Sequence, residues 1–181
     1  SGKVAAKEKS DHWLNMPATL RAIPDLMLCL QELHDGTVTQ IRKTTEDPPR
    51  VSVVDTIALF VKGDHRQSAH TWQRLSQQYP EVCHQVTHFK FSGQGQRETP
   101  VADARGIVEI IMLLPGRAAA RVRKAAADVM VRYLGGDPGL VEEIAANRLT
   151  QETLDQDDPA RIFGQTVESE ALKRKREDVT I

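Results

Sequence analysis

Apolar residues recur at intervals of three and four positions in three parts of the chain, which is the spacing of one face of an α-helix. In residues 17–33 the recurring positions are Leu20, Ile23, Leu26, Met27, Leu30 and Leu33. In residues 104–114 they are Ile107, Ile110, Ile111 and Leu114. The third part, residues 117–134, repeats alanine and valine in the same way. The pattern predicts an amphipathic helix or interrupted helix pair near the amino terminus, and a later helical hairpin broken at Pro115 and Gly116.

Two stretches rich in β-branched and alternating residues indicate antiparallel strands. The first is "TVTQIRKTTEDPPRVSVV" (37–54), and the second is "EVCHQVTHFKFSGQGQRETPVAD" (81–103). We expect each to form a β-hairpin, with turns at "EDPP" and "SGQGQ". Asp55 is expected to cap a short helix at residues 56–60, and Trp72 lies on the apolar face of a second short helix. The sequence thus predicts an α+β fold of two β-hairpins, short helices and a carboxyl-terminal Arg-rich helical hairpin.

Composition divides the chain into three parts. Residues 1–16 are polar and predict a disordered amino-terminal segment. Residues 17–154 carry the periodic patterns and are expected to form one globular domain, including a further helix in residues 139–154. Residues 155–181 start acidic and are expected to be a flexible tail ending in a basic cluster. The initial Ser-Gly resembles the remnant of a cleaved expression tag, so we expect the chain to be a fragment.

The overall composition excludes several classes of protein. Of the 181 residues, 40% are hydrophobic, which is enough to bury a core without disulfides or a metal. The net charge of −1 excludes a uniformly basic protein, so a nucleic-acid contact would need a local patch. Cys29 and Cys83 are interpreted as reduced, structural thiols of an intracellular protein. No run approaches the roughly 20 apolar residues that cross a bilayer, so no membrane partner is expected.

Positive charge is concentrated on the predicted helical hairpin. Between Arg105 and Arg132 the only acidic residues are Glu109 and Asp128. A stripe at positions i, i+4 and i+7 of the second helix consists of Arg117, Arg121 and Lys124, and it is flanked by Arg123 and Arg132. Neighbouring alanines keep this helix slim, so these cations are predicted to reach the phosphates of double-stranded DNA. A solvated surface with no partner is the alternative interpretation.

A second basic group flanks the turn of the first predicted hairpin. It consists of Arg42, Lys43 and Arg50. Because a β-ribbon can enter a groove of DNA as a helix can, these three residues are predicted to be further DNA contacts. The alternative is ordinary strand-edge charge, which protects a sheet edge against aggregation.

A third basic group is the run "KRKR" near the carboxyl terminus. It consists of Lys173, Arg174, Lys175 and Arg176. Such runs are typical of nuclear localisation signals and of non-specific nucleic-acid patches. We therefore predict recognition by a nuclear import receptor and a nuclear localisation.

The order of these elements resembles the BRO-N domain, the amino-terminal domain of baculovirus repeated-ORF proteins and of many phage antirepressors. "RVSVVDTIALFV" (50–61) is similar to the family's strand followed by an Asp that starts a helix. "VADARGIVEIIMLLPGRAAARVRKAAADVMVRYLGG" (101–136) is similar to its signature, with "DVMVRYL" in the place of the family's "eVLpslr" element. The resemblance spans residues 36–136 and implies an α+β domain that binds DNA or regulatory proteins without catalysis.

The histidines and cysteines form no recognised catalytic or metal-binding motif. His84 and His88 are four positions apart; on a strand they would lie about 13 Å apart and could not share a zinc ion, whereas on a helix they could. Cys83 with either histidine and Asp103 could be drawn as a thiol triad, yet no nucleophile motif supports it. We therefore expect no enzymatic activity, no metal and no cofactor. Trp72 is interpreted as a core residue rather than a platform for stacking bases.

The sequence therefore predicts a non-enzymatic DNA-binding domain of a nuclear regulatory or chromatin-associated protein, with a role in transcription regulation. The alternative is a protein-interaction or homodimerisation module that does not bind DNA and uses residues 17–33 and 140–154. Salt distinguishes the two, because phosphate contacts weaken steeply as salt rises and an apolar interface does not. Both can hold together, since many DNA-binding domains dimerise.

Overall fold

The computed structural model describes residues 41–61, 64–93, 95 and 97–179 of the chain. The elements in chain order are β1 (Val51–Ser52), α1 (Val53–Phe60), α2 (His65–Gln78), a 3₁₀ helix (Pro80–Gln85), β2 (Val86–Phe89), β3 (Thr99–Ala102), α3 (Ala104–Leu113), α4 (Arg117–Leu134), α5 (Gly139–Thr153) and α6 (Arg161–Val179). Helices surround a small antiparallel sheet, which confirms the α+β class. The predicted disordered segment 1–16 and the predicted helix at 17–33 lie outside the described residues.

The sheet has the strand order β1–β3–β2, with both pairings antiparallel. Its second hairpin was predicted, but β2 starts at Val86 because the preceding residues form the 3₁₀ helix. Residues 37–40 of the first predicted hairpin lie outside the described residues. Within residues 41–54 the hairpin consists of β1, a bridge between Lys43 and Val51, and hydrogen bonds such as that from the Ser52 amide to the Arg42 carbonyl, 2.9 Å.

The junction between β1 and α1 differs from the prediction. Val53 and Val54, expected in a strand, form the first turn of α1, and Ser52 rather than Asp55 is the N-cap. The Ser52 hydroxyl accepts a hydrogen bond from the Asp55 amide at 3.2 Å. This cap and the complete burial of Val53 outweigh the strand preference of β-branched residues.

The core lies between the sheet and the helices α1, α3 and α4. Asp103 caps α3 as predicted, accepting from the Gly106 amide at 2.9 Å. The predicted apolar stripe of α3 is buried: it consists of Ile107, Ile110, Ile111 and Leu114. Ala119 and Val122 of α4 pack into the same cluster. The predicted break at Pro115-Gly116 separates α3 from α4, and Gly116 has a φ of 100°, which favours glycine.

The carboxyl-terminal region is helical over most of residues 155–181, where a flexible tail was predicted. The further helix predicted at 139–154 is present as α5. After it, α6 starts with Arg161, and Ile162 is 1% exposed in the hydrophobic core. An ion pair from Arg105 of α3 to Glu170 of α6, 2.8 Å, lies further along. Burial of Ile162 orders a segment whose acidic composition suggested disorder. Among the described residues no helix is long and apolar enough to cross a lipid bilayer.

Candidate nucleic-acid interface

The stripe predicted on the Arg-rich helix is present on the first half of α4. Arg117, Arg121 and Lys124 are all exposed, and none has a hydrogen bond or ion pair with another described residue. Three residues at i, i+4 and i+7 cover about 10 Å of helix, from a rise of about 1.5 Å per residue. The structure therefore brings these three predicted site residues together.

The stripe faces away from the core. Ala119 is fully buried and Val122 is 3% exposed, so the face of α4 that contains them packs on α3. At about 100° per residue, Arg121 lies roughly opposite this buried face. Asp128 follows four residues after Lys124 and is exposed, so a negative charge ends the stripe.

Arg123, predicted to flank the stripe as a DNA contact, is exposed and also has a structural role. Its Nη1 donates to the Leu114 carbonyl at 2.8 Å and to the Met112 carbonyl at 3.3 Å. These carbonyls are at the carboxyl end of α3, where the helix leaves acceptors without internal partners. Arg123 thus holds the start of α4 against the end of α3, and its predicted DNA contact stays a prediction.

Arg132 is also occupied within the chain. It bonds to Asp137 at 2.6 Å and, through both terminal nitrogens, to Glu143, which is 3% exposed. The hydrogen bonds that Arg132 donates to Glu143 and then to Asp137 raise the pKa of Arg132 above its ordinary value. Two hydrogen bonds hold the pKa of Asp137 below its ordinary value: first the one that Arg132 donates, and then the one that the Gly139 amide donates. Arg132 therefore joins α4 to α5 rather than reaching outward.

Arg42 completes an ion pair with a buried carboxylate. Its Nε lies 2.7 Å from Oδ2 of Asp55 and its Nη2 lies 2.8 Å from Oδ1, while the Asp55 side chain is 1% exposed. The guanidinium also lies 5.0 Å from the ring centre of Phe91. The hydrogen bond to Asp55 raises the pKa of Arg42, and partial burial opposes this rise. The geometry gives Arg42 a structural role, in place of the predicted phosphate contact.

Lys43 and Arg50 also contact other parts of the chain. Lys43 Nζ donates to the Gln156 carbonyl and lies 3.4 Å from Oε1 of Gln165. Burial lowers the pKa of Lys43, and nearby aspartates oppose this effect. Arg50 donates to the Thr87 hydroxyl of β2. Lys43 connects the first turn to α6, and Arg50 connects it to the sheet. Both side chains predicted to contact a groove of DNA therefore make contacts within the domain.

The "KRKR" cluster lies on the last turns of α6. Lys173, Arg174, Lys175 and Arg176 are all exposed. Arg174 Nε is 3.4 Å from the Glu170 carbonyl, one turn earlier. The cluster is accessible, but it is helical, whereas the prediction placed it in a flexible tail.

The histidine and cysteine positions are separated by the fold. His84 is in the 3₁₀ helix and His88 is in β2. The two histidines therefore do not lie on one strand, as the predicted separation of about 13 Å assumed. Cys83 is exposed, and its Sγ donates to the Ser76 carbonyl at 3.7 Å. Within the described part of the chain, no group of three or more His, Cys, Asp or Glu could hold a metal ion. Trp72 packs partly buried against the core, which confirms the prediction for that residue.

One surface feature was predicted only in part, because the sequence indicated residues 140–154 as an interface but not the end of α4. Large apolar residues are exposed on the second half of α4 and the first half of α5: Met130, Val131, Tyr133, Leu134, Val141 and Ile144. The sequence did contain an indication of this surface: the apolar stripe of α4 is longer than the stripe of α3, on which α4 packs.

No protein-family model, no curated protein and no solved structure matches this chain. The resemblance to the BRO-N domain therefore stays a prediction.

Proposed function

We propose that this domain binds double-stranded DNA without catalysing a reaction, and that the contact is made by Arg117, Arg121 and Lys124. The observation that carries the proposal is that these cations are exposed in one line with no partner among the described residues. The other five predicted contacts in the two basic groups are engaged inside the domain. The resemblance to the BRO-N domain supports the same function.

The physical basis is phosphate neutralisation. Each cation that pairs with a phosphate releases counterions, so the affinity falls as salt rises, with a logarithmic slope of about −0.9 for each contact. Three contacts give a slope of about −2.7. Phosphate contacts carry no sequence information, so this face alone provides affinity with little sequence preference.

The test is fluorescence anisotropy with a labelled random-sequence duplex at several salt concentrations. Arg117→Ala/Arg121→Ala/Lys124→Ala is expected to lower the affinity and to remove most of the salt dependence. The matched control removes three exposed cations elsewhere: Arg66→Ala/Arg74→Ala/Arg97→Ala. It changes the net charge equally and is expected to retain most of the affinity.

Two outcomes contradict the proposal. The wild-type chain could fail to bind the duplex even at low salt. Alternatively, both triple variants could lose affinity equally, which would show a general charge effect rather than a specific face. A complementary gain is expected from Asp128→Lys, which extends the stripe by one turn and should strengthen binding and steepen the salt slope.

We further propose a nuclear location, supported by the accessible cluster at residues 173–176. A fluorescent fusion of the full chain is expected to accumulate in the nucleus of a eukaryotic cell. Changing all four residues of the cluster to alanine should redistribute it to the cytosol. Equal nuclear accumulation of both forms would contradict this role.

A protein-interaction module is the second candidate function. The exposed apolar residues of α4 and α5 favour it, because a soluble monomer rarely leaves so many large apolar side chains together in water.

A further inference from the structure

The last two turns of α6 extend into solvent beyond the rest of the domain. Glu170 still contacts α3, through its ion pair with Arg105 at 2.8 Å. Residues 172–178, seven in a row, are then all exposed. Successive residues of an α-helix lie about 100° apart around its axis, so seven consecutive residues cover every direction. Every side of this helix end, which is about 10 Å long, is therefore open to solvent.

This helix end carries positive charge on more than one side. Lys173, Arg174 and Lys175 are consecutive, so their side chains leave the helix about 100° apart and together span about 200° of its circumference. We call these three residues the basic collar. Among the described residues none of the three has an ion-pair partner, and Arg174 makes only a hydrogen bond to the Glu170 carbonyl, at 3.4 Å. The collar therefore presents cations in several directions at once.

Nearby carboxylates offset only part of this charge. Glu168 and Glu170, which precede the collar, form ion pairs with arginines of α6 and α3. Glu177 and Asp178, which follow it, are exposed. Residues 173–178 contain four cations and two carboxylates, so their net charge is +2. The helix end is therefore a positive surface that suits a polyanion.

We infer that the basic collar is a second contact with double-stranded DNA and lies in the major groove, an inference that rests on the proposed function. The major groove is about 12 Å wide and admits a helix, whose diameter with side chains is about 10–12 Å. Phosphates of both strands flank a helix in this position, so cations that span about 200° can reach both. A flat anionic surface, such as a lipid bilayer, reaches only the cations on one side. The arrangement of the collar therefore favours a groove as its partner.

The collar differs from the cation stripe of α4 in the contact that it can make. The stripe is one-sided, because the opposite face of α4 packs into the core through Ala119 and Val122. The collar is open on all sides and is on another helix. Its net charge of +2 corresponds to about two phosphates, which adds about −1.8 to the logarithmic slope of affinity against salt. The stripe keeps the larger share, about −2.7.

The test measures binding of the full chain to the labelled random-sequence duplex by fluorescence anisotropy over a range of salt concentrations. Lys173→Ala/Arg174→Ala/Lys175→Ala is expected to bind at least about 10-fold more weakly at low salt, with a slope shallower by about 1.8. Arg66→Ala/Arg74→Ala/Arg97→Ala, which removes the same charge from other exposed positions, should retain most of the affinity.

A second pair of variants tests the helical arrangement of the collar. Leu172→Pro keeps every cation but ends the helix just before the collar, so it is expected to lose affinity for the duplex. Leu172→Ala is the matched control, because alanine preserves the helix, and it should bind like the wild type. Circular dichroism checks that the domain stays folded in all variants.

The outcomes separate this inference from the proposed function when the stripe variant is measured in parallel. If only the stripe variant loses affinity, the collar is not a DNA contact and the inference is overturned. If only the collar variant loses affinity, the inference holds and the stripe is not the DNA face. A wild-type chain that does not bind the duplex overturns both.

Other partners of the collar give different results. If the collar variant loses nuclear accumulation of the fluorescent fusion but binds the duplex like the wild type, nuclear import is the role of the cluster and the inference is overturned. Loss of binding to phosphatidylserine vesicles with unchanged duplex binding also overturns it, in favour of a membrane surface. Equal duplex affinity of Leu172→Pro and Leu172→Ala overturns the placement in the groove, since an unwound basic run would then suffice.

Discussion

Replacing Arg42 with methionine is expected to destabilise the domain, because the change removes the main partner of a buried carboxylate. Asp55 is 2% exposed, and the Arg42 guanidinium bonds to both of its oxygens, at 2.7 and 2.8 Å. Methionine keeps most of the aliphatic part of the side chain, so the loss is chiefly electrostatic. The backbone amide of residue 42 still donates to Oδ2, at 3.1 Å.

The expected magnitude follows from this geometry. Removing one partner of a buried ion pair costs about 3–5 kcal/mol. The retained amide donor and the 21% exposure of the Arg42 side chain favour the lower end, so we expect about 3 kcal/mol. Asp55→Asn should cost less, about 1–2 kcal/mol, because the guanidinium at the edge of the site can turn to water. The order of the two variants is the decisive part of the prediction.

Urea unfolding followed by far-UV circular dichroism measures both changes. With a slope of about 2 kcal/mol per molar urea, a loss of about 3 kcal/mol moves the midpoint by about 1.5 M. Arg50→Met is the matched control, since its contact with Thr87 is exposed and its loss should cost less than about 1 kcal/mol. A smaller effect for Arg42→Met than for Asp55→Asn would refute the reasoning. Folded Arg42→Met should bind the duplex like the wild type, since the guanidinium is engaged inside the domain.

Three further changes test other parts of the fold. Gly106→Ala should destabilise by about 1–2 kcal/mol in thermal unfolding, because the new Cβ would lie 3.1 Å from a side-chain carbon of β3; a stabilised variant would contradict this packing. Arg123→Met should cost about 1 kcal/mol through its lost bond to the Leu114 carbonyl, and a large loss of DNA affinity in the folded variant would contradict its structural role. Asp137 has a folded pKa below its unfolded value of about 3.9, so its contribution is present above about pH 4 and is lost as the pH falls through the folded pKa. Urea titrations should therefore find Asp137→Asn less stable than the wild type at about pH 6, with the difference vanishing in acid; a difference that grows in acid would reverse the assigned sign.

Local signals in the sequence were enough to predict the helical hairpin. Asp103 caps α3, Pro115 and Gly116 separate it from α4, and Gly135 and Gly136 follow the last residue of α4. These signals act within one or two turns of the chain, so their effect does not depend on the rest of the fold.

Two other elements depended on tertiary packing and were wrong in part. Val53 and Val54 have strand propensity, but burial in the core and the Ser52 cap place them in α1. The acidic stretch before α6 suggested disorder, yet Ile162 anchors the following helix in the core. A single apolar residue carries too little periodic signal to reveal such a contact.

The contacts of the candidate site residues were equally hard to predict from local sequence. The partners that engage the predicted cations are distant in sequence: Arg42 and Asp55 are 13 positions apart, and Lys43 and Gln165 are 122 apart. Composition identifies a basic residue but does not reveal which carboxylate or carbonyl the fold will bring to it. The regular i, i+4, i+7 stripe was predictable because it lies on one helix and faces away from the core.

The central position of β3 has a consequence for folding during synthesis. Val51 of β1 pairs with Ala102 of β3, 51 positions later, and β2 pairs with the opposite edge of the same strand. A nascent chain that has already released β1, α1, α2 and β2 from the ribosome still lacks the strand that joins them. Contacts so distant in sequence slow folding. The sheet can therefore form only after β3 has been made, and until then the core residues Val51 and Ile57 lack part of their packing and are open to aggregation and chaperone capture.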